Sequence, residues 1–246
     1  MTFLDPAFDK VFGFMLNWPP LLAILLLSFI ISLIIVIVYK FMTNQAEMKR
    51  LKDELSAHQK KMKELKNEPE KMMKAQKEAM SVNMQYMTKS MKPTLITFIP
   101  IILIFGWMNA HFAFEPLMPN EEFTLAVNFE KEIAGNVTVA VPEGLEVVGD
   151  TTKEISDKTA TFKLKGKEGE YYATLSSNGQ EVDKKIIITT ERKYAPVIET
   201  YKNDVFKTAK LGNETLKVFW KISWFWSYII FAILFSTVLR KAMKIY

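Results

Sequence analysis

Cysteine is absent from this 246-residue chain, and histidine occurs only twice, at His58 and His111. The first absence removes disulfides, thiolate metal sites and thiol nucleophiles together, and it leaves the redox compartment unreported. The second makes a histidine-based metal site or catalytic triad improbable. Nine glycines and ten prolines are too few for a collagen-like or low-complexity chain. Acid, base and nucleophile constellations are also missing, so an enzyme is not expected and no cofactor is implied.

Charge is missing locally rather than globally. Residues 21–39, 94–114 and 222–239 hold no Asp, Glu, Lys or Arg, and the first is dominated by Leu, Ile and Val. Each apolar side chain at a span centre favours insertion by about 0.3–0.6 kcal/mol, whereas one central charge costs about 2.5–3.5 kcal/mol. With 1.5 Å of rise per residue, each run covers roughly 27–32 Å, the thickness of a hydrocarbon core. Three transmembrane helices are expected, with the first retained as an anchor because a basic leader and a small-residue cleavage site are lacking. The mean hydropathy of +0.06 therefore averages unlike parts.

Charge sets the expected orientation. The segment before the first span is net −1, residues 40–93 are net +6, residues 115–217 are net −4, and the tail after residue 239 is net +3. Cations collect on the cytoplasmic side of membrane proteins. This places 40–93 and 240–246 in the cytoplasm, and 1–20 and 115–217 outside. The sequons at Asn136 and Asn213, candidate glycosylation sites, both fall in the external segment. Leu4, Ala7, Phe8, Val11, Phe12 and Met15 recur at helical spacing after the Asp5-Pro6 start signal, which predicts a short amphipathic helix on the outer membrane surface.

Residues 40–93 read as a helical hairpin. Asn44 and Glu47 fit a capping box. Met48, Leu51, Leu55, His58, Met62 and Leu65 then alternate in steps of three and four, the spacing of a coiled-coil seam. Asn67-Glu68-Pro69 breaks the helix, and Pro69 suits the first turn of the next. The second arm resumes through Met73, Met80, Met84, Met87 and Met91. Nine of the fourteen methionines lie in this loop. They either fill the seam or form an adaptable surface for apolar partners. The cations beside the bilayer fit anionic lipid or ribosomal RNA.

Residues 122–190 alternate in strand fashion, with turns at Pro142-Glu143-Gly144, Gly166 to Gly169 and Ser177-Asn178-Gly179. About seven short strands predict an immunoglobulin-like all-β sandwich without the disulfide. Residues 191–217 read as a polar, partly helical connector. The fold class is thus a polytopic α-helical membrane protein with three transmembrane helices and a cytoplasmic antiparallel hairpin, the sandwich being inserted between spans two and three. Its segments are 1–20, 21–39, 40–93, 94–114, 115–217, 218–239 and 240–246. Within the spans, Ser28 with Ser32 and Thr94 with Thr97 share helix faces. Such hydroxyls either line a mildly polar cleft or pack helices together. Trp107 and the aromatics from Phe219 to Tyr228 form an expected outer interfacial cluster.

This order of elements, with Lys71-Met72-Met73-Lys74-Ala75-Gln76-Lys77-Glu78 leading into Met91-Lys92-Pro93-Thr94 and Ile99-Pro100-Ile101-Ile102, resembles the YidC/Oxa family of membrane protein insertases, and its archaeal three-span branch in particular. The likeness covers 1–114 and, more loosely, 218–246. It implies three core helices around a hydrophilic groove open to the cytoplasm and to lipid, through which a polar client segment partitions while the client's own apolar helix drives insertion. The groove residues it implies are Ser28, Ser32, Thr94, Thr97 and Ser236, and the capture surface is Met73, Met80, Met84 and Met87. The implied partners are nascent membrane proteins, the lipid bilayer, the ribosome through the hairpin and tail, and a Sec channel in a Sec-assisted mode; DNA is not among them. The implied location is the plasma membrane. Bacterial relatives hold a cation in the groove, and these spans contain none. A receptor or envelope scaffold with a cytoplasmic coiled coil is the alternative; the break at Pro69, followed by a span, argues for the hairpin.

Overall fold

The computed structural model describes residues 5–130 and 135–245; Leu4 of the expected amphipathic stripe and Tyr246 lie outside them. The chain divides into two compact units, residues 1–20 with 106–224, and residues 21–105 with 225–246. Among the described residues, three helices are long and apolar enough to cross a membrane.

The helical unit is built on α2 (Pro20–Met42), α3 (Gln45–Glu64), α4 (Pro69–Phe112) and α5 (Trp224–Ala242). The first span runs three residues beyond its charge-free stretch, through Lys40 to Met42. Asn44 caps α3, its side chain accepting from the amides of Ala46 and Glu47. The Glu47 carboxylate, expected to close a capping box, is engaged instead by Lys89 of the opposite arm at 3.0 Å. A second cross-arm contact puts His58 Nδ1 3.7 Å from Glu78. The partners lie eleven residues apart on both arms, as an antiparallel pair without slip requires.

The seam differs from the one expected. Met48 and Leu51 are buried on α3, but Met73, Met80, Met84, Met87 and Met91 are all at least half exposed. The inner face of α4 consists of Met72, Ala75, Ala79, Val82 and Tyr86, of which Ala75 is fully buried and the others half-buried. These positions also alternate in steps of three and four. Two heptad-like stripes therefore run along one helix, and the inside goes to the one whose middle positions, Ala75, Ala79 and Val82, are small enough to let the arms approach.

The boundary expected at residues 93/94 is not structural: arm and span form one helix of 44 residues, about 66 Å long. An interior proline removes a helix hydrogen bond and costs about 3 kcal/mol. Around Pro93 hydroxyls engage the backbone, Thr94 donating to the Ser90 carbonyl at 2.7 Å and Thr97 to those of Pro93 and Thr94 at 3.1 and 3.0 Å. Hydroxyls bonded in this way bend a helix without ending it. The tail is not a free extension either. Ile245 is buried with Val36, Tyr39 and Met48, and its amide closes back on the Arg240 carbonyl.

The other unit is β-rich. Strands β1 (Phe123–Phe129), β2 (Asn136–Ala140), β3 (Leu145–Val147), β4 (Thr152–Glu154), β5 (Thr159–Gly166), β6 (Gly169–Ser177) and β7 (Gln180–Ile188) follow the alternating segments. Asn178 and Gly179, both with positive φ, make the two-residue turn between β6 and β7. The region read as a connector holds two further strands, β8 (Ile198–Thr200) and β9 (Phe206–Leu211). One antiparallel sheet has the order β3-β5-β1-β9-β8, the other β4-β2-β6-β7. The burial of Phe206, Ala209 and Leu211 breaks the period of two because the β1–β9 register shifts at Asn128/Phe129. Residues 217–223, assigned in part to the third span, form the small hairpin β10 (Lys217–Phe219) and β11 (Ile222–Ser223), turning at Trp220 and Lys221 with positive φ. The third helix therefore starts at Trp224.

The N-terminal helix α1 (Asp5–Phe12) continues into a 3-10 turn at Gly13–Asn17. Of its expected stripe, Phe12 and Met15 are buried, Phe8 is half-buried, and Ala7 and Val11 are exposed. Its polar face is not free. Asp9 accepts from the Trp107 indole at 2.7 Å and lies 3.3 Å from His111 Nε2. Trp107, expected in an interfacial cluster, is fully buried against Phe12, His111 and Phe112.

Candidate functional site

Two features of the helical unit carry candidate chemistry. The first is a cavity of about 190 Å³ lined by Ile35 and Tyr39 of α2, by residues of α4 from Pro93 to Ile101, and by Arg240 of α5. Thr94 and Thr97 both line it. Their hydroxyl protons go to helix carbonyls, which leaves oxygen lone pairs as the polar surface. The guanidinium of Arg240 lies over the Tyr39 ring, 4.8 Å from its centroid. Stacking on an aromatic face holds an arginine in place; the Tyr39 hydroxyl also engages the Arg240 guanidinium, whose remaining N–H groups are left for an anion. Arg240 and Lys241 occupy the last turn of α5, where cations complement the helix dipole.

The other groove candidates are placed differently. Ser28 is fully buried and donates to the Ile24 carbonyl of its own helix at 2.7 Å. Ser32 is also buried and donates to the Ala232 carbonyl of α5 at 3.3 Å. Both hydroxyls are spent on helix packing, the second joining two spans. Ser236 is half-buried and is not among the described residues lining the cavity. Arg240 is the member that sequence reasoning missed. It follows a charge-free run and reads as part of a solvated tail; its short distance from the end of α5, and an arginine's reach, were the available signal.

The second feature is the outward face of the hairpin. Lys77, Met80, Ser81, Met84, Gln85, Thr88 and Lys89 line a shallow groove of about 580 Å³ on α4. Met80 is 66% exposed, and Met73, Met84 and Met87 are exposed alongside it. Flexible thioethers flanked by lysines offer apolar contact of adaptable shape beside a basic rim.

In the β-rich unit, Asp9, His111 and Arg192 help to line a further cavity of about 310 Å³. Arg192 donates to the Trp18 carbonyl at 3.0 Å and lies over the Phe112 ring, and burial pulls its guanidinium below the usual arginine range. Tyr194 ties off the end of α4, accepting from the Ala113 amide at 3.0 Å and donating to the Asn109 carbonyl at 2.5 Å. Burial pushes its hydroxyl up to about 12. The two sequons differ. Asn136 is exposed, whereas Asn213 is buried and donates to the Glu115 carbonyl at 2.9 Å. Among the described residues no cluster of three or more His, Cys, Asp or Glu has metal-binding geometry.

Three apolar helices joined by polar ends of this kind make the chain a multi-pass integral membrane protein. The family model described as "Integral membrane protein EMC3/TMCO1-like" matches residues 2–142, more than half of the chain, and the chain belongs to that family. This family is a member of the Oxa1/YidC/Alb3 insertase superfamily and is tied to membrane protein insertion. Comparison with curated proteins and with solved structures returned no match.

Proposed function

We propose that this chain is a non-enzymatic membrane protein insertase of the plasma membrane, of the archaeal three-span type, with its N-terminal end outside and its C-terminal end in the cytoplasm. The observation that carries the reading is the cavity where Thr94, Thr97 and Arg240 meet beside Tyr39. A polar flank of a client meets hydroxyl oxygens and a cation there, which lowers the cost of leaving water. The client's own apolar helix supplies the driving force, at about 0.8 kcal/mol per buried methylene. Arg240, from the end of the third span, takes the place of a cation within a span. The methionine face captures clients before insertion, and the basic rim of the hairpin and tail receives the ribosome. The insertase works with or without a Sec channel. The two antiparallel sheets are an extracellular immunoglobulin-like sandwich, with Asn136 the usable glycosylation site.

The test is site-specific crosslinking from Thr97 and Tyr39 while a small membrane protein with an external N-terminus is synthesised beside native membranes. Adducts with the nascent chain, together with lost insertion on depletion, are expected. Their absence from both positions, with insertion unchanged on depletion, overturns the reading.

A further inference from the structure

Two hairpins of the β-rich unit turn on the same backbone conformation with very different residues. Between β6 and β7 the turn is Asn178-Gly179, with φ of 48° and 75°. Between β10 and β11 it is Trp220-Lys221, with φ of 45° and 64°. A two-residue turn with positive φ at both positions favours Asn-Gly, because Cβ crowds a carbonyl oxygen there and these two residues bear it best. The first turn conforms. The second holds a tryptophan and a lysine in a conformation that bulky residues avoid. Trp220 is also 88% exposed. Neither the backbone nor burial accounts for a tryptophan at this position, and such departures collect where a protein contacts a ligand.

The covalent chain fixes what lies beside this turn. Lys221 is three residues from Trp224, where α5 begins. At most about 10 Å of chain separates them. The 19 residues of α5 cover roughly 28 Å, the depth of a hydrocarbon core, so Trp224 stands at the edge of that core. The headgroup layer beyond it is about 5–8 Å thick. The tip of the β10–β11 hairpin is therefore within a side chain's reach of lipid headgroups, whatever its tilt. The Asn178-Gly179 turn has no such tether. Strand β7 runs about 30 Å from that turn to Ile188, which bridges to Leu117, five residues beyond α4.

The side chains match the headgroup layer. Phe219 and Trp220 stack with ring centroids 5.5 Å apart and planes 23° from parallel, which makes one aromatic plate. Tryptophan is enriched at the membrane–water boundary, where its ring is apolar and its indole N–H finds an acceptor. Lys217 and Lys221 stand on either side of the plate in sequence. Glu214 is the last acidic residue of the chain, so this stretch brings no carboxylate of its own to them. Residues 115–217 are net −4, and the cations at this end run against the sign of the segment.

We infer that the β10–β11 hairpin is a lipid-binding wedge: the Phe219–Trp220 plate seats among headgroups, and Lys217 and Lys221 take the phosphates of anionic phospholipid in the leaflet that α5 enters. The β-rich unit thereby gains a non-covalent attachment to the bilayer where the chain passes into the third span. The inference goes beyond the insertase reading and does not depend on it, requiring only that α5 crosses the membrane.

The double substitution Trp220→Asn with Lys221→Gly removes both side chains and supplies the residues the turn's backbone favours, so the variant keeps its hairpin. Full-length protein is placed in nanodiscs of zwitterionic lipid, and an anionic phospholipid brominated high on its acyl chains is added in steps. The emission lost in the double variant isolates Trp220 from the other four tryptophans. That component is expected to be quenched, and at a lower mole fraction of brominated anionic lipid than of brominated zwitterionic lipid. Lys217→Gln, measured against its own Asn-Gly counterpart, is expected to raise the half-quenching fraction of the anionic lipid about five-fold. Asn178→Trp puts a tryptophan on the far turn, and its added emission is expected to escape quenching. A Trp220 component that neither lipid quenches places the ring in water and overturns the inference. Equal quenching by both lipids, unmoved by Lys217→Gln, overturns the anion site. Quenching of the Asn178→Trp emission as strong as that of Trp220 overturns the special placement of this hairpin. Emission that follows the number of protein copies per disc instead of the lipid assigns the hairpin to a contact between copies of this chain and overturns the wedge.

Discussion

Asp9 and Trp107, 98 residues apart in the chain, are joined by an indole hydrogen bond of 2.7 Å. The same carboxylate oxygen lies 3.3 Å from His111 Nε2, which makes an ion pair when the imidazole is protonated. The N-terminal helix is therefore held by a polar contact that a reading of its apolar stripe alone does not supply.

Asp9→Ala is expected to loosen α1 from Trp107. The carboxylate is half exposed, so the loss is about 1 kcal/mol, at the low end for a charged hydrogen bond. Limited proteolysis in nanodiscs reads this out as faster cleavage between Gly13 and Pro19. Unaltered cleavage, with unaltered Trp emission, would show that the contact contributes nothing in solution.

Arg240→Ala is expected to slow insertion of clients with acidic flanks more than of clients with neutral ones, and Arg240→Lys to restore only part of the difference. Lysine keeps the charge but loses the planar stack on Tyr39. An in vitro insertion assay with paired clients measures the ratio. Equal effects on both clients contradict the role given to the cation.

The two faces of α4 respond differently to substitution. Ala75→Leu overpacks a fully buried position and is expected to cost the hairpin about 1–3 kcal/mol. Met84→Ala alters an exposed side chain and is expected to leave thermal stability within about 0.5 kcal/mol while weakening client capture. Thermal unfolding and client crosslinking on the same preparations separate these effects.

Asn213→Ala removes the donor to the Glu115 carbonyl and is expected to cost about 1–2 kcal/mol. Asn136→Gln is expected to leave stability unchanged. Intact mass after expression in a glycosylating host should show a glycan at Asn136 alone. Modification of Asn213 in folded protein contradicts the burial of its amide.

Glu170 receives Lys185 at 2.8 Å and Lys193 at 2.6 Å, and these bonds hold its carboxyl at about 2. The unfolded chain binds this proton near 4.5, so the contribution is full above that pH and is lost as pH falls toward 2. The carboxylate is partly exposed, and the effect is correspondingly screened. Glu170→Gln should flatten the stability profile between pH 4.5 and 2. An identical acid limb in wild type and variant excludes the group as its source.

The three spans, the break before Pro69 and the first seven strands were legible because each rests on a local signal: absence of charge, a ring that fixes φ, or alternation of period two. The seam of α4 was not, since two stripes of the same spacing share the helix and hydropathy ranks Met above Ala. Packing chooses the opposite order, because Ala75 admits a close neighbour and Met80 does not. Strand β9 escaped notice because a register shift at Asn128/Phe129 destroys its alternation. In the candidate site, Thr94 and Thr97 could be paired from spacing alone. The structure turns Ser28 and Ser32 toward backbone carbonyls, and the approach of Arg240 to Tyr39 depends on a tertiary contact between helices far apart in sequence.

The unbroken course of α4 through Pro93 also has a mechanical meaning. A helix that continues through its prolines, even bent, couples its two parts, so a movement of the hairpin arm carries over to the span. The first 24 residues of α4 form a lever of about 36 Å, so tilting the span by about 10° sweeps the hairpin tip through roughly 6 Å. A load on the exposed methionine face is therefore carried along the helix to the span itself.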